Sequence, residues 1–182
     1  GHLPRIALTT GGADPLECLL RKIGIDDAEF TPPSGPGRVN LFAAEGGSDR
    51  YAPDLHDGAP FPEASVLWGS LADLMQYDIV LMACEGNQYA DLKSQTAREN
   101  MVKYAGVGGR LFLTHWHNVW IEKGPAPWPT VAQFKFQPDL PDPAAAAIDT
   151  GFPKGQALAA WMVHVGGSPA LGQLSIAEGQ HT

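Results

Sequence analysis

The sequence predicts an α/β domain built on a mainly parallel sheet, and three observations predict it. Tyr77-Asp78-Ile79-Val80-Leu81-Met82-Ala83-Cys84 and Gly108-Gly109-Arg110-Leu111-Phe112-Leu113-Thr114-His115 are apolar runs of strand length that end in polar or reactive residues. Residues 90–105 between them read as a helix. A strand–helix–strand unit makes two parallel strands joined by a right-handed crossover, and ligands gather where such strands end. Cys84 and His115 are therefore expected at one carboxyl edge.

The remaining elements follow in order. Arg5-Ile6-Ala7-Leu8-Thr9-Thr10 is a short strand running into Gly11-Gly12. Asp14 then reads as a helix cap, Pro15 as the first helical residue and Glu17 as the partner of a capping box. Leu16, Leu19, Leu20 and Ile23 keep helical spacing and Gly24 stops the helix. A glycine turn before a helix suggests an anion or ligand contact at Gly11 and Gly12, although the full dinucleotide or P-loop spacing is missing and a plain turn is the commoner reading. Residues 28–31 and 38–42 are expected as short strands around a Pro/Gly turn at 32–37. Residues 45–62 lack periodicity and read as a long loop carrying Asp49, Tyr51, Asp54, His56 and Asp57, and loops of that length are usually functional or mobile.

Residues 64–76 read as one helix with Val66, Leu67, Leu71 and Leu74 inward. The helix of the central unit, residues 91–104, turns Leu92, Ala97, Met101, Val102 and Tyr104 partly toward the sheet. After His117 the chain is rich in Pro and Trp through Pro129. Residues 131–136 are ambiguous, and residues 139–150 are expected to be irregular because Pro141 and Pro143 precede the alanine run. Residues 153–165 form the last helix, with Leu158, Trp161, Met162 and Val165 on one face and Gly166-Gly167 after it. Residues 168–182 contain one apolar run, Leu174-Ser175-Ile176, and no internal repeat is visible.

Composition bounds the function. The 182 residues are 44% hydrophobic with five Trp, which suits one packed domain over 1–182 rather than a disordered chain. Twelve Lys and Arg against 20 Asp and Glu leave a net charge of -8, whereas nucleic acid and anionic membrane both want a basic face. No apolar run approaches the roughly 18 residues of a membrane span. Gly and Pro exceed a fifth of the chain, which implies long shaped loops. No charged and apolar leader is visible at Gly1-His2, and a mature exported fragment would look the same. The natural polypeptide is expected to continue beyond Thr182.

Cys18 and Cys84 allow one bridge or two thiols. The favoured reading is a disulfide. Both residues would sit above the same sheet edge, within reach of the ~4.4–6.8 Å between alpha carbons that a bridge needs. Closing so long a loop would contribute on the order of 4 kcal/mol. The alternatives are two buried free thiols, or a Cys84 nucleophile with His115 or His117 as base and Glu85 orienting the pair.

His115 and His117 alternate along an extended segment and would face the same way. With Glu122, or with Asp54 and His56, they could bind Zn²⁺ or a transition metal. The bland alternative is one hydrogen-bonded imidazole and one exposed. Trp116, Trp120, Trp128 and Tyr89 lie near this edge with Asn87, Gln88 and Asn118, the flat faces and directional polar groups a sugar cleft needs. The commoner reading is that at least two of these Trp cap the core under the Pro-rich loop. His2, His164 and His181 carry no functional reading.

The run Tyr77-Asp78-Ile79-Val80, a helix ending at Tyr104-Ala105, and Gly108-Gly109-Arg110-Leu111-Phe112-Leu113-Thr114-His115 resemble the ThuA-like family of the class I glutamine-amidotransferase-like group. The resemblance covers residues 4–118 and extends to ThuA-like regions of secreted bacterial proteins with a Cys-Glu-Gly and a His-Trp-His stretch. It implies a flavodoxin-like three-layer sandwich with sheet order 2-1-3-4, a His delivered to the sheet edge at His115, and a link to sugar utilisation. The departure is at the nucleophile. Amidotransferases use Gly-x-Cys-x-Gly, and here Met82-Ala83-Cys84-Glu85-Gly86 lacks the first glycine.

Three functions follow as expectations. The first is a carbohydrate- or small-molecule-binding domain of an exported protein, with an extracellular or cell-surface location and a cytoplasmic one still open. The second is a hydrolase using Cys84 with His115, or a metal enzyme using His115 and His117. The third is an interaction module that self-associates or serves a larger surface protein.

Overall fold

The computed structural model describes residues 3–134 and 141–177. The chain divides into two compact units, residues 1–134 and residues 135–182. In the first unit, β1 (Ile6–Thr9), β2 (Val39–Phe42), β3 (Ile79–Met82) and β4 (Arg110–Leu113) form one sheet of order β2-β1-β3-β4, parallel throughout. This is the flavodoxin-like α/β arrangement, and its strand order is the one the ThuA-like resemblance implies.

The side chains alternate through the sheet because successive residues of a strand face opposite ways. Ala7, Val80 and Met82 join one core with Leu67, Trp68, Leu74, Met101, Tyr104 and Trp120. Ile6, Leu8 and Leu41 join the other with Leu20, Phe30, Tyr51 and Phe61. Helix α1 (Leu16–Lys22) sends Leu20 into the second core, while α2 (Ala64–Gly69), α3 (Leu71–Leu74) and α4 (Gln95–Gly106) cover the first. Tyr104 ties α4 to the sheet by donating its hydroxyl to the carbonyl of Tyr77, 3.0 Å away. Its ring also lies on Gly109, where a Cβ would come within 2.4 Å. That contact explains the glycine ahead of β4.

Several expectations are corrected. Residues 28–31 are not a strand: a single 3-10 turn, Asp27–Glu29, precedes one bridging residue, Phe30, beside Val39. The helix read over 64–76 breaks at Ser70, which is extended and whose hydroxyl accepts the N–H of Asp73 to start α3. Val66 is exposed as a result. Helix α4 begins only after Ser94, which accepts from Ala97 N–H, so Leu92 precedes the helix and is exposed. The 45–62 loop is partly ordered by pairing of Arg50 with Pro60 and buries Tyr51.

In the second unit, β5 (Ala144–Ala147) pairs antiparallel with β6 (Gln173–Ile176), flanking α6 (Pro153–His164). Residues 144–147 were expected to be irregular. Alanines have little strand preference of their own, and it is the partner strand 26 or more residues later that makes them one. Helix α6 falls where expected, and His164 is exposed on it. His2, His181 and the chain end lie outside the described residues.

Candidate thiol–imidazole site

The carboxyl edge begins with two turns that touch. Gly11 follows β1, and a Cβ there would stand 2.3 Å from the carbonyl oxygen of Cys84 and 2.5 Å from that of Ala83. Only glycine lets the two backbones approach this closely. Ala13 N–H then donates to the Cys84 carbonyl at 2.9 Å. Asp14 does not cap α1, whose first turn has no side-chain cap. Its Oδ2 accepts the Cys84 N–H at 2.9 Å and also the Thr114 hydroxyl. One carboxylate oxygen therefore clamps the ends of β3 and β4 together.

Cys84 is fully buried, and its Sγ lies 3.1 Å from Nδ1 of His115. Gly86 N–H points at the same sulfur from 3.4 Å. His115 is half-buried and sits in the left-handed region at φ 40°, a conformation that costs a non-glycine residue about 1 kcal/mol or more. The strand does not continue through it: residues His115–Asn118 form a 3-10 turn leading into α5 (Val119–Glu122). The alternation expected for His115 and His117 is thereby corrected, and the two imidazoles do different jobs.

His117 is buried, with Nε2 2.9 Å from the Ala83 carbonyl and Nδ1 accepting the indole N–H of Trp120 at 3.1 Å. An indole can only donate, so the imidazole proton is on Nε2 and both ring nitrogens are engaged. Burial, with the charge of Lys93 adding to it, holds its pKa down at about 4. A neutral ring with no spare lone pair is not a metal ligand. His56, a proposed companion, has Nε2 2.6 Å from the Phe30 carbonyl, and Glu122 accepts from Gln88 at 2.6 Å. No group of three His, Cys, Asp or Glu suited to a metal occurs among the described residues.

The disulfide is also corrected. Cys18 and Cys84 are both free, Cys18 on the exposed side of α1 and Cys84 at the buried edge. Helix α1 begins at Leu16, so Cys18 is carried outward with Leu19, while Leu20 takes the inward position.

Glu85 occupies a position that its sequence neighbours do not announce. Its side chain is 3% exposed and that of Lys93 is 0%, with Lys93 Nζ 2.6 Å from Glu85 Oε2. Lys93 Nζ also donates to the Gln88 carbonyl at 2.9 Å and lies 5.5 Å from the Trp68 ring centre and 5.9 Å from that of Trp120. Burial raises the Glu85 pKa, and the hydrogen bond and charge of Lys93 oppose that rise. The Glu85 carboxylate is turned to Lys93 and the Glu45 N–H rather than to the thiol, and it walls a cavity of about 170 Å³ with Glu45, Glu63, Ser65 and Trp68.

The expected ligand residues divide. Trp120 is fully buried and packs on Trp68 with ring centres 5.3 Å apart, so it is core, not a stacking platform. Trp116 remains half-buried beside His115, ring centres 5.4 Å apart. Asn118 accepts from Gln88 at 3.1 Å, and Asn87 is exposed and accepts the Gln88 N–H. Gly11 is buried and Gly12 exposed at the turn. Asp14, Lys93 and Thr114 were missed. Asp14 imitated a cap, and a lysine before a helix normally reads as solvent-facing.

In comparisons with known proteins, no family model, no curated protein and no solved structure matches the chain.

Proposed function

We propose that the carboxyl edge of the sheet takes a small polar, carbonyl-bearing molecule and that Cys84 and His115 are its reacting pair, in a thiol-dependent hydrolase. The observation that carries this is the 3.1 Å separation of Cys84 Sγ and His115 Nδ1 at the ends of neighbouring parallel strands. In such a pair the thiol proton passes to the imidazole and the thiolate attacks the carbonyl carbon of an amide or ester, forming a C–S bond. The imidazolium returns the proton to the departing amine or alcohol, and water then cleaves the thioester, restoring the thiol. The Gly86 N–H donates toward the same sulfur from 3.4 Å. A left-handed His115 fits a residue held in place for a task rather than for stability.

The ThuA-like resemblance of residues 4–118 and the half-buried Trp116 favour a carbohydrate derivative as the ligand. Export rests on that resemblance alone, because two free thiols remove the disulfide argument.

A second reading is favoured by the complete burial of Cys84 and by the missing elbow glycine. In it the edge binds its ligand without chemistry and the thiol is packing. Iodoacetamide labelling of folded protein carrying Cys18→Ser separates the two. The hydrolase reading expects Cys84 to be carboxamidomethylated in the native state, and His115→Ala to slow this by roughly 100-fold. Labelling that occurs only after unfolding would leave the binding reading in its place.

A further inference from the structure

The loop between β1 and α1 grips Cys84 by both of its backbone groups. Ala13 N–H donates to the Cys84 carbonyl at 2.9 Å, and the Cys84 N–H donates to Asp14 Oδ2 at 2.9 Å. Two adjacent residues thus hold the backbone on either side of the thiol, much as a paired strand would, although β1 ends at Thr9. The same Oδ2 accepts the hydroxyl of Thr114, the residue before His115. The Met82 carbonyl lies 3.0 Å from that hydroxyl, but its single proton goes to the stronger acceptor, the carboxylate. Thr114 is fixed a second time by its N–H, which donates to the Met82 carbonyl at 3.2 Å.

The place of the imidazole needs such a hold, because the strand does not supply it. His115 stands at φ 40°, just past the end of β4, and a left-handed residue persists only where its surroundings over-determine it. Thr114 anchors it on one side and the 3-10 turn His115–Asn118 on the other. We infer that Asp14 is a positioning residue for the thiol–imidazole pair: one carboxylate oxygen holds the backbone that carries Cys84 and the residue that leads into His115, and so sets the 3.1 Å between Sγ and Nδ1. This rests on Cys84 and His115 being the reacting pair.

Asp14 acts through the Cys84 N–H and the Thr114 hydroxyl, and its removal should loosen the pair without parting the strands. β3 and β4 stay joined by their own four-residue pairing. The segments beyond them are tied again farther along the chain, where Gln88 Nε2 donates to Asn118 Oδ1 at 3.1 Å and to Glu122 Oε2 at 2.6 Å. The expected consequence is a loss of communication between thiol and imidazole in a protein that remains folded.

The readout is therefore the coupling of the two side chains, which a merely structural role would leave alone. In the Cys18→Ser background, the iodoacetamide rate at Cys84 is measured with and without His115→Ala, in the parent protein and in Asp14→Ala, Asp14→Asn and Thr114→Val. Each rate is followed into sub-denaturing urea, because labelling that passes through unfolding climbs steeply with denaturant and native labelling does not. The parent should lose roughly 100-fold on His115→Ala. In Asp14→Ala the same change should cost less than about threefold, since residues out of contact act independently. Asp14→Asn keeps an oxygen for both donors, and a neutral acceptor about half as strong should preserve a His115 effect of roughly tenfold. Thr114→Val removes one arm at nearly constant shape and should fall below the parent value, which keeps the test open if Asp14→Ala labels only through unfolding. An undiminished His115 effect in Asp14→Ala or in Thr114→Val, or an Asp14→Asn protein no better coupled than Asp14→Ala, would overturn the positioning role and leave the reacting pair standing. A parent protein whose native labelling ignores His115 would overturn both.

Discussion

Lys93 Nζ lies 2.6 Å from Glu85 Oε2 with both side chains essentially out of solvent, although the two residues are separated by a whole turn and a 3-10 segment. Two charges taken out of water cost several kcal/mol each, and such a pair persists only where hydrogen bonds complete it. The Gln88 carbonyl and the Glu45 N–H do so here, the latter 3.4 Å from Glu85 Oε1.

Removing one partner is therefore expected to cost more than removing both. Lys93→Met should destabilise the protein by about 3–5 kcal/mol, because an unpaired carboxylate is left buried. The double variant Lys93→Met, Glu85→Leu should recover a large part of that loss. Urea unfolding of the four proteins in the cycle measures it. A loss in the double variant equal to the sum of the two single losses would show that the pair is not energetically coupled.

His117 makes stability depend on pH with a definite sign. Its folded pKa is about 4 against an ordinary 6.5, so between these values the unfolded chain holds more protons than the folded one. Stability from this group is complete above pH 6.5 and is lost as pH falls toward 4, by about 3 kcal/mol in all. His117→Gln should flatten the wild-type slope in that window, as read from denaturant midpoints at successive pH values.

Glu85 and Glu17 contribute with the opposite sign. Burial raises both pKa values, so above the ordinary carboxylate range the folded state holds the extra proton. Their contribution falls as pH rises from 4.5 through the raised values and is constant beyond them. Glu17→Gln, which has no ion-pair partner to strand, should stabilise the protein at neutral pH relative to its effect at acid pH. A pH-independent difference between the two proteins would count against it.

Gly11 should tolerate no side chain. In Gly11→Ala the new methyl would meet two backbone carbonyls at 2.3 and 2.5 Å, and neither can move without parting β1 from β3. The expected cost is roughly 3 kcal/mol or more, in the range of overpacking. At Gly69 nothing lies within 4 Å of an added Cβ, and Gly69→Ala should be neutral. Thermal melts of the two variants give the contrast.

Thiol titration of unreduced, unfolded protein should return two free thiols, one from Cys18 and one from Cys84. A value near zero in a monomer would restore the bridge.

Much of the central unit was legible in the sequence because its signals are local. An apolar run bounded by Asp78 and Cys84, a helix closing at Gly106, and a second run after Gly109 specify strand, helix and strand within 40 residues. The handedness of the crossover then brings Cys84 and His115 to one edge. Other elements were illegible for equally physical reasons. Ser70 interrupts an apolar pattern that both α2 and α3 satisfy, and the alanines of β5 become a strand only through β6.

The sequence by itself determined the α/β class and the edge at which reactive residues collect, since hydrophobic period and strand–helix alternation are properties of neighbouring residues. The tertiary structure decided what each edge residue does. Asp14 reaches Cys84 across 70 positions and Thr114 across 100, and Glu85 finds Lys93 only after the chain has turned back. Cys18 faces away from Cys84 because of where α1 begins, and His117 is neutral because it is buried under Trp120. Burial and long-range hydrogen bonding set these roles, and both exist only once separate segments have been packed together.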